Sequence, residues 1–217
     1  MNLDQARFNM VEQQVRPWDV ISPRVLNAME EIPRHKFVAE SQQNLAYMDL
    51  PLPIGEGQKM MEPRLEGRML QSLDLMKNET ALEIGTGSGY VTALLCKLGA
   101  SVRSVELHQS LMEQAKQRLT SFGIGNFILQ QGDALSEQWN PNSGYDVVVL
   151  TGAVREIPEK LKQRVNVGGR LFAIVNHGGV KTATLLSRHN EESWVTEPLF
   201  ETDVANLVAP PTPSFTF

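Results

Sequence analysis

In the stretch ALEIGTGSGY an acidic residue, Glu83, is followed by glycine at every second position, Gly85, Gly87 and Gly89, with Thr86 and Ser88 between them. Glycines where a strand turns sharply into a helix let the backbone come close to a ligand, and the first N–H groups of that helix are free to meet it. The dinucleotide-binding turn is spaced G-x-G-x-x-G, but here Tyr90 stands where its third glycine is needed, so a nicotinamide cofactor is disfavoured. Two carboxylates follow at the ends of later strands. Glu106, in SVELH, can accept both hydroxyls of a ribose, which a single neutral acceptor cannot do as well, and Leu107 beside it can lie against a base. Asp133, in QQGDAL, can accept from the amino group of adenine, with Ala134 small enough for backbone to approach the ring. Taken singly, a carboxylate ending a strand is more often a solvated loop residue than a ligand, and a glycine turn can serve helix packing alone. Together and in this order they describe a nucleoside site. His35, His108, His177 and His189 show no metal-ligand spacing, and Cys96 fits a small apolar helix position, so none of them is assigned chemistry.

These residues need strands that end at one edge and helices that start there. From Thr80 the pattern supplies them: strand TALEI, a helix with Val91, Leu94, Leu95 and Leu98 closed by Gly99, then SVRSVE, a helix with Ser110 and Glu113 as a capping box, NFILQQ, YDVVVL and, after a turn at NVGG, RLFAIV. Alternation of this kind predicts an α/β fold, a doubly wound, mostly parallel Rossmann-like sheet. TATLLSRH and WVTEPLF read as antiparallel additions at its edge. The chain before it reads as helical. Phe8, Val11 and Val15 share one face, and Val25, Leu26, Met29 and Ile32 form the stripe of a second helix with Ser22 as cap and Pro23 at its first position. DLPLPIGEGQKMMEP is too punctuated for a regular element and reads as a structured loop, before a helix marked by Leu65, Met69, Leu73 and Met76. The expected division is 1–77, a helical portion and active-site loop packed on the main domain; 78–208, the ligand-binding α/β domain; and 209–217, a frayed proline-rich tail.

A chain of 217 residues with 41% apolar and 21% charged residues can bury a sizeable core. Its net charge of −5 gives no general attraction to nucleic acid or to an anionic membrane. No run reaches membrane-spanning length, the start MNLDQARFNM has no secretory pattern, and the single cysteine allows no internal disulfide, so a cytoplasmic protein is expected.

The E-x-G-x-G-x-G spacing resembles the first motif of class I S-adenosylmethionine (SAM) methyltransferases, in which the loop lies under the methionine part of the cofactor. Over a longer span the chain resembles the protein L-isoaspartate (D-aspartate) O-methyltransferases, through IPRHKFV, AYMDLPLPIGEGQ, LEIGTGSGYVTALL, SVELHQSLMEQA, GDAL, YDVVVLTGAVREIP and VGGRLFAIV. That resemblance implies SAM as cofactor, S-adenosyl-L-homocysteine as product, and a cofactor set of Glu83, the turn from Gly85 to Gly89, Glu106, Leu107, Asp133, Ala134 and Thr151. It implies a loop ending in GEGQ that closes the active site, and protein repair: methylation of the α-carboxylate of an isoaspartyl residue so that the succinimide can re-form. Such an acceptor is already ionised at neutral pH, so no general base is expected, only donors that hold the carboxylate.

The resemblance breaks after Gln58. Where the family continues G-Q-T-I-S-x-P, this chain has Lys59, Met60 and Met61 at the threonine, isoleucine and serine positions. A thioether donates no hydrogen bond and is larger than a serine hydroxyl, so the acceptor site becomes more apolar, with Lys59 either supplying a replacement charge or simply solvated. Gln58, Lys59 and Met61 are the candidate substrate-loop residues. The alternatives left open are a small or more apolar methyl acceptor, and a non-catalytic SAM-binding scaffold. Oligomeric state is not legible.

Overall fold

The computed structural model describes residues 2–99, 101–140 and 143–208; the tail expected at 209–217 lies outside them. Helix α1, Leu3–Met10, runs into a π turn over Val11–Val15 and a short 3-10 turn ending at Asp19, whose φ is 58°. The wider turn rotates the buried face, so Met10, Val11 and Val15 are fully buried while Phe8, expected on that face, is 52% exposed. In α2, Pro23–Glu31, the stripe of Val25, Leu26, Met29 and the following Ile32 is buried as its spacing predicts, with Pro23 in the first turn. Ser22 does not cap it. The backbone N–H groups of Ile21 and Ser22 instead donate to the Oε1 of Gln71 on α3, Pro63–Leu73, at 2.6 and 2.9 Å. Met76 falls beyond α3 and is about half exposed, because Asp74 ends the helix in the left-handed region.

The segment expected to be irregular holds a hairpin. β1, Leu52–Gly55, pairs antiparallel with β2, Gln58–Met60, with Leu52 opposite Met60 and Pro53 opposite Lys59. Glu56 and Gly57 form the turn with φ of 51° and 68°, the primed geometry that matches strand twist and for which glycine is suited. The punctuation that suggested a loop belongs to a two-stranded ribbon, where Pro53 is tolerated because β1 has no second neighbour.

The main sheet contains β3 (Thr80–Ile84), β4 (Ser101–Glu106), β5 (Phe127–Gln131), β6 (Tyr145–Val154), β7 (Val165–His177), β8 (Val180–Arg188) and β9 (Trp194–Thr202). α4 (Tyr90–Leu98), α5 (Gln109–Ser121) and the single turn α6 (Glu159–Lys162) connect them. Strand order is β5-β4-β3-β6-β7-β8-β9, parallel through β7 and antiparallel at β8 and β9. NVGG is not a turn before a strand. It is an irregular stretch within β7, across which the register with β6 jumps from Tyr145 opposite Val165 to Val147 opposite Arg170. Alternate residues of β6 face opposite cores: Val147 and Val149 belong to the one that holds Met10, Met29, Met69, Leu94 and Phe172, while Val148 and Leu150 belong to the one with Leu82, Leu171 and Ala173. The first core holds N-terminal helices and sheet together, each fully buried Met, Leu or Phe contributing ~1.5–3 kcal/mol. The chain leaves β3 toward β4 and β5, then returns to β6 on the other side. That reversal opens a crevice at the carboxyl ends of these strands. Among the described residues no helix is long and apolar enough to cross a membrane.

Candidate functional site

A cleft lies in that crevice, and the glycine turn forms its floor. Gly85 has φ of 96°, and a Cβ there would stand 2.4 Å from Thr151 Oγ1. Thr151, on β6, places its hydroxyl 2.7 Å from the Gly85 carbonyl and 3.0 Å from that of Ile84, so the turn is stitched to the neighbouring strand. Gly85 and Gly87 line the cleft. Gly89 lines neither this cleft nor its neighbour; a Cβ on it would stand 3.1 Å from that of Ala115, so this third glycine lets α4 approach α5. Lining of the cleft and helix packing thus divide the motif between them.

Glu106 and Asp133 both line the cleft, with Leu107 and Ala134 beside them. Glu106 is buried, and its two carboxylate oxygens accept from the backbone N–H groups of Gly87 at 2.8 Å and His108 at 3.0 Å. Each oxygen has a further lone pair for a ligand. Asp133 Oδ1 accepts from the N–H groups of Leu135 and Ser136 at 2.9 and 3.1 Å, a turn that fixes the side chain and leaves Oδ2 outside it. Glu83 lies elsewhere. It is fully buried, lines neither cavity, and accepts at 2.5 Å from the hydroxyl of Thr92 on α4. Burial pushes its carboxyl up to about 8, against the pull of the Ser104 and Thr92 hydroxyls, so it is largely protonated at neutral pH. Thr86, whose hydroxyl is 2.5 Å from that of Ser104, and Ser88 border a second, smaller cavity.

The hairpin of β1 and β2 stands over the turn. A Cβ on Gly87 would meet Ile54 Cδ1 at 3.0 Å, and Ile54, Gln58 and Lys59 wall the cleft. Its tip is fastened to α5 by the Ser110 hydroxyl, which donates to Glu56 Oε1 at 2.5 Å. Ser110 therefore does not cap α5; the helix begins after His108, and Glu113 accepts instead from Gln109 Nε2. On the opposite side, Ala153 of β6 exchanges backbone hydrogen bonds with Ala205 and Leu207 at 2.9 and 2.8 Å, bringing Val204 to Val208 into the wall.

The second cavity adjoins the first, sharing Ile54, Lys59, Gly85, Gly87 and Thr151. Met60, Met61, Val91 and Glu66 complete it. Glu66 was not among the residues singled out by motif, although an acid within the buried stripe of α3, between Leu65 and Met69, is a legible signal. It pairs with Arg34, both fully buried, and the Arg34 Nη2 donates to the Met61 carbonyl while its guanidinium lies 5.0 Å from the Tyr90 ring centroid. Burial pushes the Glu66 carboxyl up to about 7, with Arg34 opposing.

The family model for protein-L-isoaspartate (D-aspartate) O-methyltransferase matches residues 6–208. A protein-L-isoaspartate O-methyltransferase of Syntrophus aciditrophicus is 39% identical over 188 residues, 87% of this chain and 86% of its own length. One of Methanoculleus marisnigri is 41% identical over 171 residues, 79% and 77% of the two chains. Among solved structures, a protein-L-isoaspartate O-methyltransferase superposes with a TM-score of 0.80 at 27% identity, covering 94% of this chain and 66% of that one. A Plasmodium falciparum structure in complex with S-adenosyl-L-homocysteine reaches 0.82 at 19% identity, covering 97% and 100%, which bears on the fold alone. On the matched span, the sheet order and the turn at its switch point, this chain belongs to the protein-L-isoaspartate (D-aspartate) O-methyltransferase family of SAM-dependent methyltransferases.

Proposed function

We propose that the protein transfers the methyl group of SAM to the α-carboxylate of an isoaspartyl residue. The observation that carries this is Lys59, a residue that lines both cavities, so a cationic residue stands at the junction where a carboxylate would meet the cofactor. Glu106 suits a ribose because each of its oxygens is held by one backbone N–H and keeps acceptor capacity for a hydroxyl. Leu107, Asp133 and Ala134 continue the same wall and would hold the base, and Gly85, Gly87 and Thr151 would lie under the methionine part.

SAM supplies a methyl group already activated on a sulfonium sulfur. An ionised carboxylate needs no base, so the protein's contribution is to align acceptor and donor and to exclude water. Met60, Met61 and Val91 make the acceptor side apolar, which favours a step that joins an anion to a cationic donor and leaves two neutral groups. Lys59 replaces the family's neutral hydroxyl donor as the group that holds the carboxylate.

The same apolar wall supports a second reading, in which the acceptor is a smaller or more apolar molecule than an isoaspartyl peptide. Methyl-labelled SAM with an isoaspartyl peptide and its aspartyl control separates the two. Label entering the isoaspartyl peptide alone supports repair; no label in either, with SAM bound normally, favours the second reading or a scaffold. A cytoplasmic setting accords with the lone Cys96, buried and held as a thiol whose pKa burial pushes up to about 12.

A further inference from the structure

Glu66 is a buried carboxylate in the wall of the acceptor cavity that the proposed transfer does not use. Its Oε2 is taken by Arg34; its Oε1 is buried and has no partner. Among the described residues bordering this cavity, it is the only one with a buried, unpartnered side-chain oxygen or nitrogen. Leaving such an acceptor unmet costs ~1–3 kcal/mol, so the arrangement suits an occupant that brings a donor. The carboxylate is also held in place. Arg34 binds Glu66 through one terminal nitrogen and the Met61 carbonyl through the other, fixing the acid and the hairpin's end relative to each other.

The cavity is therefore two-poled. Lys59 stands at its boundary with the cofactor cleft, Glu66 borders the acceptor cavity only, and Met60, Met61 and Val91 surround the space. A plain carboxylate entering it is attracted by Lys59 but brings no donor for Glu66 Oε1, whose charge Arg34 largely offsets. A carboxylate with a positively charged nitrogen on the adjacent carbon meets attraction at both poles. We infer that this cavity selects an acceptor in which the methylated carboxylate neighbours a protonated amine, and that Glu66 is the specificity-determining residue receiving that amine. Within the proposed isoaspartyl activity, on which this inference rests, the matching acceptor is an isoaspartyl residue at a chain's N-terminus. There the α-carbon carries both the free carboxylate and an ammonium group; an internal or N-acetylated residue offers only a neutral amide N–H.

The test uses the whole protein, methyl-labelled SAM and one peptide in two forms, N-terminal isoaspartyl with a free amine and the same peptide N-acetylated. The expected result is a kcat/KM at least about tenfold higher for the free amine, one charge-assisted hydrogen bond's worth of discrimination. Glu66→Gln, which can still accept from Arg34 but presents an amide to the cavity, should bring the ratio to within about threefold, the scale of a lost charge assistance, with SAM affinity unchanged and Tm lowered because the buried Arg34 loses its counter-charge. Should that variant fail to fold, the double change Arg34→Met with Glu66→Val removes both charges and should give the same loss of preference. Equal rates on the two peptides in the wild type, or a preference that survives in the folded variant, overturn the inference and leave isoaspartyl methylation standing. No transfer to either form overturns the acceptor assignment and this inference with it, a pattern that distinguishes the two failures.

Discussion

The two halves of the cleft are built differently. On the side proposed for the cofactor, Glu106 and Asp133 are oriented by backbone N–H groups a few residues away or on the adjoining turn, so their geometry follows directly from strands ending at a switch point. On the side proposed for the acceptor, Lys59, Met61 and Glu66 are placed by a hairpin and a helix, joined through Arg34 from a third segment. A half fixed by backbone tolerates little change without loss of the turn. A half fixed by side chains can exchange a hydroxyl for a thioether, or bring in an acid, while the fold stays as it is. The two halves should therefore separate under mutation.

The largest effect belongs to the cofactor half. Glu106→Ala removes two oxygens that accept from Gly87 and His108 and that are available to a ribose. Charge-assisted hydrogen bonds are worth ~1.5–3 kcal/mol each, so SAM affinity should fall on the order of 100-fold. Calorimetry that returned the wild-type affinity would take Glu106 out of the site and erase the contrast between the halves.

In the acceptor half, the combined change Met60→Ile and Met61→Ser returns the family's hydroxyl beside Lys59, on a hairpin whose partner strand and turn are already in place. Isoaspartyl methylation should rise by about tenfold, as one hydroxyl donor worth ~1–3 kcal/mol returns. SAM affinity should stay within about twofold, since none of these residues is proposed to hold the nucleoside. A loss of SAM binding in this variant would show that the hairpin serves both halves. No gain in rate would point instead to Glu66 or the Val204–Val208 wall as the seat of acceptor choice.

The same division explains what the sequence discloses. The glycine turn, Glu106 and Asp133 are legible because each element needs only its own neighbours: period-two strands, a helix stripe and an acid at a strand end. The hairpin was hidden because Pro53, Gly55 and Gly57 carry the marks of a loop, and the tight turn that needs Gly57 carries the same marks. Ser110 looked like a cap because a serine precedes an acid by three residues; in the folded chain its hydroxyl crosses to Glu56. Phe8 departs from the face shared by Val11 and Val15 because of one π turn, which no periodicity of 3.6 anticipates. Glu66 and Arg34 lie 32 positions apart, and only the tertiary fold brings them together.

A smaller effect should separate ground-state binding from chemistry within the cofactor half. Asp133 stands beside Ala134 and Leu135, away from the second cavity, and its Oδ1 is already committed to the backbone of its own turn. Asp133→Ala should weaken SAM binding by roughly tenfold while leaving kcat at saturating SAM nearly unchanged, because a contact remote from the reacting methyl stabilises ground and transition states alike. A collapse in kcat at unchanged affinity would place Asp133 with the acceptor.

The smallest effect concerns Glu83, which the motif places in the cofactor set and the structure places outside both cavities. Its carboxyl, raised from 4.5 to about 8 by burial, holds a proton in the folded chain that the unfolded chain releases above pH 4.5. A raised acid of this kind contributes stability that is fully present below the unfolded value and is lost as pH rises toward 8. Glu83→Gln resembles the protonated form and can still accept from Thr92. It should leave Tm unchanged near pH 4.5 and raise it at pH 8 by about 3 °C or more, as expected when a buried ionisation is removed from a chain of this size. SAM affinity should not move in the same variant. If affinity falls while the pH dependence of Tm persists, Glu83 acts on the ligand rather than on the junction of β3 with α4, and the boundary drawn around the cofactor half must shift to include it.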